Sequence, residues 1–326
     1  MTISDIAKMA GVSPAAVSRF LNDGYVSEEK RLKIKEVIEK TGYVPSRQAQ
    51  QLRTKRTKLV GVIIPKIDSD SISRIVAGIS EQLSEVGYQL LLANTENDVE
   101  KELEYLSTFK QNFVDGVILI ATAITEEHRQ IIKSLKIPVV AIGQRADFIS
   151  SIYHNDYGAA YAITQKILEK GHRNVAFIGV PEWDVAVGVN RLRGFKNCLR
   201  DNEMEFNPDW VLTGMFNMDN GYENTRKLME MDRKPDAIFC ATDTIAMGAV
   251  HYLNEHKIKI PEEVAVCGIG NGKTVKVIEP PLTTADYFYR ASGNEGAKML
   301  LDKIEDPKSP VLATMLGYEI IERESL

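Results

Sequence analysis

The chain has 326 residues, 44% of them apolar, and its 40 Lys+Arg against 45 Asp+Glu leave a net charge of −5. That length supports one small module plus a larger two-lobed body, the apolar content argues against disorder, and no apolar run reaches the roughly 18 residues of a membrane span. Cys198, Cys240 and Cys267 lie far apart and the five histidines form no H-x-x-x-H pair, so reduced packing thiols, no metal and no cofactor are expected.

Charge is segregated along the chain. Met1 to Lys58 hold 12 Lys+Arg against 6 Asp+Glu, while the remainder hold 28 against 39. A local cationic face attracts phosphate by releasing counterions whatever the total charge, so the acidic balance does not argue against nucleic acid. Thr2 with Asp5 three residues on is a capping-box start, and Ile6, Ala7 and Ala10 give an apolar helical face that stops at Gly11. Ser13 is placed to cap a second helix with Pro14 at its first position, Val17, Phe20 and Leu21 facing inward, and Ala15, Ala16, Ser18, Arg19 and Asn22 facing outward. Two short helices joined by a Gly-containing turn form a helix-turn-helix, whose second helix enters the major groove of duplex DNA. A third helix is written in Glu28 to Lys40, capped by Ser27, packed through Leu32, Ile34, Val37 and Ile38, and ended by Gly42.

Next come Tyr43-Val44-Pro45 and a short segment, Ser46 to Arg53, followed by Lys55, Arg56 and Lys58. The series Ile3-Ser4-Asp5-Ile6-Ala7, Gly11-Val12-Ser13, Val17-Ser18-Arg19, Asn22, Gly42-Tyr43-Val44-Pro45 and Ala49-Gln50-Gln51-Leu52 resembles the LacI/GalR family of transcription repressors, and the similarity continues through the whole chain. The resemblance implies that Pro14, Ala15 and Arg19 face bases, that Ser13, Ser18 and Asn22 approach phosphates, and that a hinge helix enters the minor groove. Thr2, Ile3, Tyr25, Tyr43, Ser46, Ala49, Leu52 and Arg53 complete the set expected at DNA. Pro14 and Ala15 can offer only apolar contact, so Arg19 carries most direct readout unless it is an ordinary phosphate contact. A helix of about seven residues is marginal alone, so Ser46 to Arg53 is expected to order only on DNA beside a second hinge. Leu52 is expected both to wedge between base steps and to touch its counterpart, with Arg47 and Arg53 at phosphates.

After residue 58, short apolar runs alternate with amphipathic helical patterns. Leu59 to Pro65, Tyr88 to Ala93, Gly116 to Ile120 and Val139 to Ile142 read as buried parallel strands, with a helix over Ile72 to Val86. A second set lies near Val175 to Ile178, Val211 to Leu212, Ala237 to Cys240 and Val264 to Cys267. The expected fold is therefore α/β: an all-α helix-turn-helix domain plus a body of two doubly wound parallel sheets. The family resemblance makes that body similar to periplasmic sugar-binding proteins and implies three crossings between lobes, near Asp156, near Ala285 to Tyr289 and near Leu316. The expected domains are residues 1–45 for DNA binding, 46–58 for hinge and linker, and 59–326 for the body. Its N-lobe spans about 59–156 and 288–316, its C-lobe about 157–285 and 317–326.

Ligands of such sheets sit at strand carboxyl ends, so a cleft between lobes collects loop residues from both. Val187 to Phe195 matches the family's arginine-containing helix start, which implies that Arg191 reaches effector oxygens. Cys240 to Gly248 matches another family signature and places Asp243 at a strand end. An arginine and a carboxylate facing each other can grip adjacent hydroxyls, or form a structural ion pair. Trp183 and Phe216 could offer flat faces to a sugar ring or pack inside the lobe. Gln144 and His154 lie at strand ends, Tyr287 at a crossing, and Asn271 stands in Gly-Ile-Gly-Asn, where the family commonly has Gly-Tyr-Asp. That departure removes a carboxylate that often binds effector; with Gln144 it is similar to regulators of sucrose or fructoside use.

A competing reading is a nucleotide-binding enzyme, because Cys267 to Thr274 approximates a phosphate loop. It fails where Cys267 replaces the first glycine, and the proline-limited segment after Thr274 is too short for the helix that cradles phosphate. No G-x-S-x-G elbow supports hydrolysis. The expectation is a homodimeric, cytoplasmic, non-enzymatic repressor of carbohydrate genes on a pseudo-palindromic operator, controlled by a sugar or sugar phosphate. A protein coregulator stays open. No membrane and no added tetramerisation helix are expected.

Overall fold

The computed structural model describes residues 1–22, 24–43, 56–109 and 114–326. It divides into two compact units, Met1–Lys58 and Leu59–Leu326. Among the described residues no helix is long and apolar enough to cross a membrane.

The first unit holds α1 (Ile3–Ala10), α2 (Pro14–Phe20) and α3 (Glu28–Thr41). Thr2 and Asp5 cap α1 reciprocally: the Asp5 amide donates to Thr2 Oγ1 at 3.3 Å and the Thr2 amide to Asp5 Oδ2 at 2.8 Å. Gly11 ends α1 at φ +65°, a left-handed conformation that favours glycine. Ser13 Oγ accepts from the Ala16 amide, with Pro14 beginning α2. Ile6, Ala7, Ala10, Val17 and Ile34 form the core, joined by Ala16, which is buried rather than outward as expected. Small Ala16 fits where the helices meet, and a larger residue there would separate them. Two further expectations for α3 fail. Ser27 makes no capping hydrogen bond. Leu32 is 63% exposed, because the inward stripe runs through Ile34, Val37 and Ile38 and leaves Leu32 on the opposite side.

The second unit carries two six-stranded sheets. In chain order its elements are β1 (Leu59–Ile64), α4 (Asp70–Glu85), β2 (Gln89–Asn94), α5 (Val99–Phe109), β3 (Gly116–Ile120), α6 (Glu126–Ser134), β4 (Val139–Ile142) and β5 (Ser150–His154). Then follow α7 (Asp156–Glu169), β6 (Val175–Gly179), a π-helical turn (Val185–Asn190), α8 (Arg191–Asp201), β7 (Val211–Thr213), α9 (Met218–Glu230), β8 (Ala237–Cys240), α10 (Asp243–Glu255) and β9 (Ala265–Ile269). The chain closes with β10 (Thr283–Asp286), α11 (Tyr289–Glu305), β11 (Ala313–Leu316) and β12 (Glu319–Ile321).

One sheet has the order β11-β5-β4-β3-β1-β2 and the other β12-β10-β9-β8-β6-β7. Every pairing is parallel except β10 with β12. The fully apolar runs occupy the sheet centres, where helices cover both faces and no polar alternation is needed. The chain leaves the first sheet after β5, returns to it after β10 through α11, and leaves again after β11. Cys198, Cys240 and Cys267 are buried and unbridged.

Candidate functional site

In the first unit α2 presents a face rather than a pocket. Ser13, Pro14, Ala15, Arg19 and Asn22 are exposed and Ser18 is half-buried. Arg19 makes no ion pair among the described residues, which leaves its guanidinium to an external acceptor. The Asn22 carboxamide donates to the Ser18 carbonyl. Thr2 is exposed but its hydroxyl already donates to Asp5 at 2.9 Å, and Tyr25 is 87% exposed. Ile3 packs half-buried on the core. Tyr43 departs from expectation: its ring is buried in the module core, so it anchors the end of the helical unit instead of presenting a face. Ser46, Ala49, Leu52 and Arg53, and with them the hinge, lie outside the described residues.

In the second unit a cavity of about 400 Å³ opens where loops at the carboxyl ends of both sheets converge. Of the residues singled out for it, Gln144, His154, Arg191, Phe216 and Asp243 line it. Trp183, Asn271 and Tyr287 do not. Tyr287 is fully buried behind His154, its ring stacked at 4.8 Å, and its hydroxyl donates to Asp156 Oδ1 at 3.1 Å. Asn271 is consumed by structure: its amide nitrogen donates to Asp286 at 2.8 Å and its oxygen accepts from Arg323 at 2.6 Å. Trp183 is 40% exposed, its ring 6.0 Å from that of Phe216.

Arg191 begins α8 directly after the π-helical turn. Gly188 permits that turn, because a Cβ there would sit 2.2 Å from the Pro181 carbonyl oxygen. Such bulges recur at functional sites because they re-aim side chains without ending the helix. Arg191 Nε donates to Asp156 Oδ1 at 2.8 Å, Nη1 donates to the Ala241 carbonyl at 2.5 Å, and its guanidinium lies 5.1 Å from the Tyr287 ring centre. The carboxylate paired with Arg191 is therefore Asp156, not the expected Asp243. Asp243 accepts the Thr284 hydroxyl at 2.6 Å and the Gly272 amide at 3.1 Å. Burial holds its pKa up at about 6 against those hydrogen bonds. Burial, aided by the charge of Arg191, pushes His154 down to about 3, so it is a neutral imidazole at neutral pH.

The Asp243 contact also disposes of the phosphate-loop reading. The turn at Gly270–Gly272 aims a backbone amide at the chain's own carboxylate, and only one tight turn, Thr274–Lys276, follows it.

Two groups escaped the sequence reading. Asp184 caps the π-helical turn through the Val187 amide at 2.9 Å, lines the cavity, and accepts from Gln144 Nε2 at 2.8 Å across the lobes. Gln144 Nε2 also donates to the Thr122 carbonyl at 2.8 Å; two acceptors beside one amide group fix which end is nitrogen. Burial raises Asp184 to about 6. Arg74 on α4 reaches across to the Gly270 and Asn271 carbonyls and stacks 4.8 Å from the Tyr289 ring centre. An aspartate at a helix N-cap, three residues before an amide donor, was the available signal for Asp184. Nothing local marks Arg74.

Residues 2–46 match the family described as bacterial regulatory proteins, lacI family, and residues 164–326 match the periplasmic binding protein-like domain. The sucrose operon repressor of Staphylococcus xylosus is 33% identical, over 98% of this chain and 95% of that protein. A transcriptional regulator CelR–cellobiose complex superposes with TM-score 0.77 at 28% identity, covering 100% of both chains. A lac repressor dimer bound to operator and the anti-inducer ONPF superposes with TM-score 0.91 at 23% identity, covering 100% of this chain and 98% of that one.

Proposed function

Because this chain belongs to the lacI family of bacterial regulatory proteins, we propose that it is a cytoplasmic homodimeric repressor of carbohydrate-utilisation genes whose operator affinity is set by a sugar or sugar phosphate in the interlobe cavity. The observation that carries the reading is the union, in one chain, of a cationic helix-turn-helix with Arg19 exposed on its second helix and a cavity between two lobes lined by Gln144, Asp184, Arg191 and Asp243. Two copies would place two reading helices on the half-sites of a pseudo-palindrome. The edge strand β2 supports association, since Leu91 and Leu92 stand exposed on it and Val86 precedes it. A sucrose or fructoside effector is the first choice, given the relative from Staphylococcus xylosus.

Mechanistically, a ligand can shift operator affinity only through different affinities for two arrangements of the lobes. Gln144 with Asp184, and Arg74 with the Gly270–Asn271 turn, already join the lobes. A ligand between them changes the free energy of that closure, and closure moves the two first lobes of the dimer relative to one another. The connecting segment 46–58 transmits the change to the reading helices. Selection of bound duplexes from a random pool by the full-length chain tests the reading. A pseudo-palindromic consensus whose affinity shifts with a carbohydrate is expected. Absence of any sequence preference at low salt contradicts it.

A further inference from the structure

Three carboxylates are buried around the cavity, and they differ in what their oxygens already hold. Asp156 is compensated by Arg191 at 2.8 Å. Asp243 has one donor on each oxygen, Thr284 on Oδ1 and the Gly272 amide on Oδ2. Asp184 is 3% exposed, and its Oδ1 takes both the Gln144 and Val187 donors. Among the described residues its Oδ2 receives no hydrogen bond and no cation stands within ion-pair distance. An acceptor oxygen on the cavity lining that no protein donor holds is open to a ligand O–H.

The cavity's cations are committed in the opposite sense. Arg191 holds Asp156 and the Ala241 carbonyl, Arg74 lies 3.2 Å from Asp70 and donates to the Gly270–Asn271 turn while its Nε makes no hydrogen bond among the described residues, and Lys66 holds Asp68 at 3.3 Å. Only Lys273 of the lining cations has no carboxylate partner among the described residues, and it is exposed. The Gly272 amide is spent on Asp243, and the Asp184 carboxylate, with no cation within ion-pair distance among the described residues, repels a phosphoryl group seated beside it. Phosphoryl groups are held by free cations and backbone amides; hydroxyl groups need acceptors. At Asp184 the cavity supplies an acceptor and, among the described residues, no ion-paired cation.

We propose that Asp184 is the specificity-determining effector residue, its Oδ2 accepting a hydroxyl of a neutral polyhydroxylated ligand, and that the cavity therefore rejects the phosphorylated form of the same sugar. This rests on the reading of the cavity as the effector site. Because Asp184 and Gln144 belong to different lobes, a hydroxyl seated on Asp184 lies at the seam of closure. Specificity and closure are then read by one carboxylate.

Calorimetric titration of the full-length chain with matched pairs tests this: sucrose against sucrose 6-phosphate, and fructose against fructose 6-phosphate. A neutral member is expected to bind, with its phosphorylated partner at least roughly tenfold weaker. Asp184→Asn keeps an acceptor for Gln144 and Val187 but loses the charge and the second acceptor, so affinity for the neutral sugar should fall roughly ten- to a hundredfold. A thermal melt establishes that the variant is folded, and the paired comparison on the wild type stands without it. Equal or tighter binding of the phosphorylated member, or unchanged affinity in a folded Asp184→Asn, overturns the proposal. Failure of every carbohydrate to bind the wild type overturns the effector reading beneath it.

Discussion

Removing Arg191 would strand Asp156, which is 4% exposed and takes its hydrogen bonds from Arg191 and Tyr287. Breaking one side of a buried ion pair typically costs about 3–5 kcal/mol. Arg191→Ala is thus expected to lower the urea midpoint as well as effector affinity, and an unchanged midpoint would contradict the buried pair. Asp184 and Asp243 make a second prediction. Their pKa values rise from an ordinary 3.8 to about 6, chiefly by burial. A carboxyl that holds its proton more tightly when folded favours folding at low pH, and that contribution is lost as pH rises from roughly 4 to 6. Replacing Asp184 by Asn removes one such loss. The stability difference, variant minus wild type, should therefore grow between pH 4 and pH 7; urea melts showing the same difference at both pH values would refute the assignment. Arg19 makes its prediction at DNA, where Arg19→Ala should cost about 1–3 kcal/mol on the selected duplex and far less on random duplex if it reads bases. Equal losses on both would make it a phosphate contact.

Among elements, α1 and α2 were legible because caps, turn and stripe are local: Thr2, Gly11, Ser13 and Pro14 act within a few residues of themselves. Ser13→Ala should cost the fold about 1 kcal/mol, measurable by thermal melting. The apolar central strands were legible for the same reason. Strands β5 and β10 were not, because Ser150, Thr283 and Thr284 satisfy their side chains or backbone through partners far away in sequence. The π-helical turn was also hidden, since its geometry depends on Gly188 passing beneath Pro181, a contact no periodicity reveals. Leu52 belongs to the segment read from sequence alone. Leu52→Ala is expected to weaken the selected duplex much more than random duplex, as anisotropy would show.

For the whole molecule, sequence pattern located the cleft correctly in kind, since strand carboxyl ends of two sheets had to supply it. It paired Arg191 with the wrong carboxylate because Asp156 and Asp243 both begin helices at strand ends, and only their three-dimensional neighbours distinguish them. Tyr287 and Asn271 were adjacent to the cavity but serve it from behind, through Asp156 and through Asp286 with Arg323. The account as a whole requires the cavity and the reading helices to be thermodynamically coupled, and such coupling is typically about 1–3 kcal/mol. The most direct measurement is fluorescence anisotropy of the selected duplex with the full-length chain, with and without a saturating carbohydrate that calorimetry shows to bind. A shift in duplex affinity of roughly five- to 150-fold is expected, and identical affinity in both conditions would contradict the account.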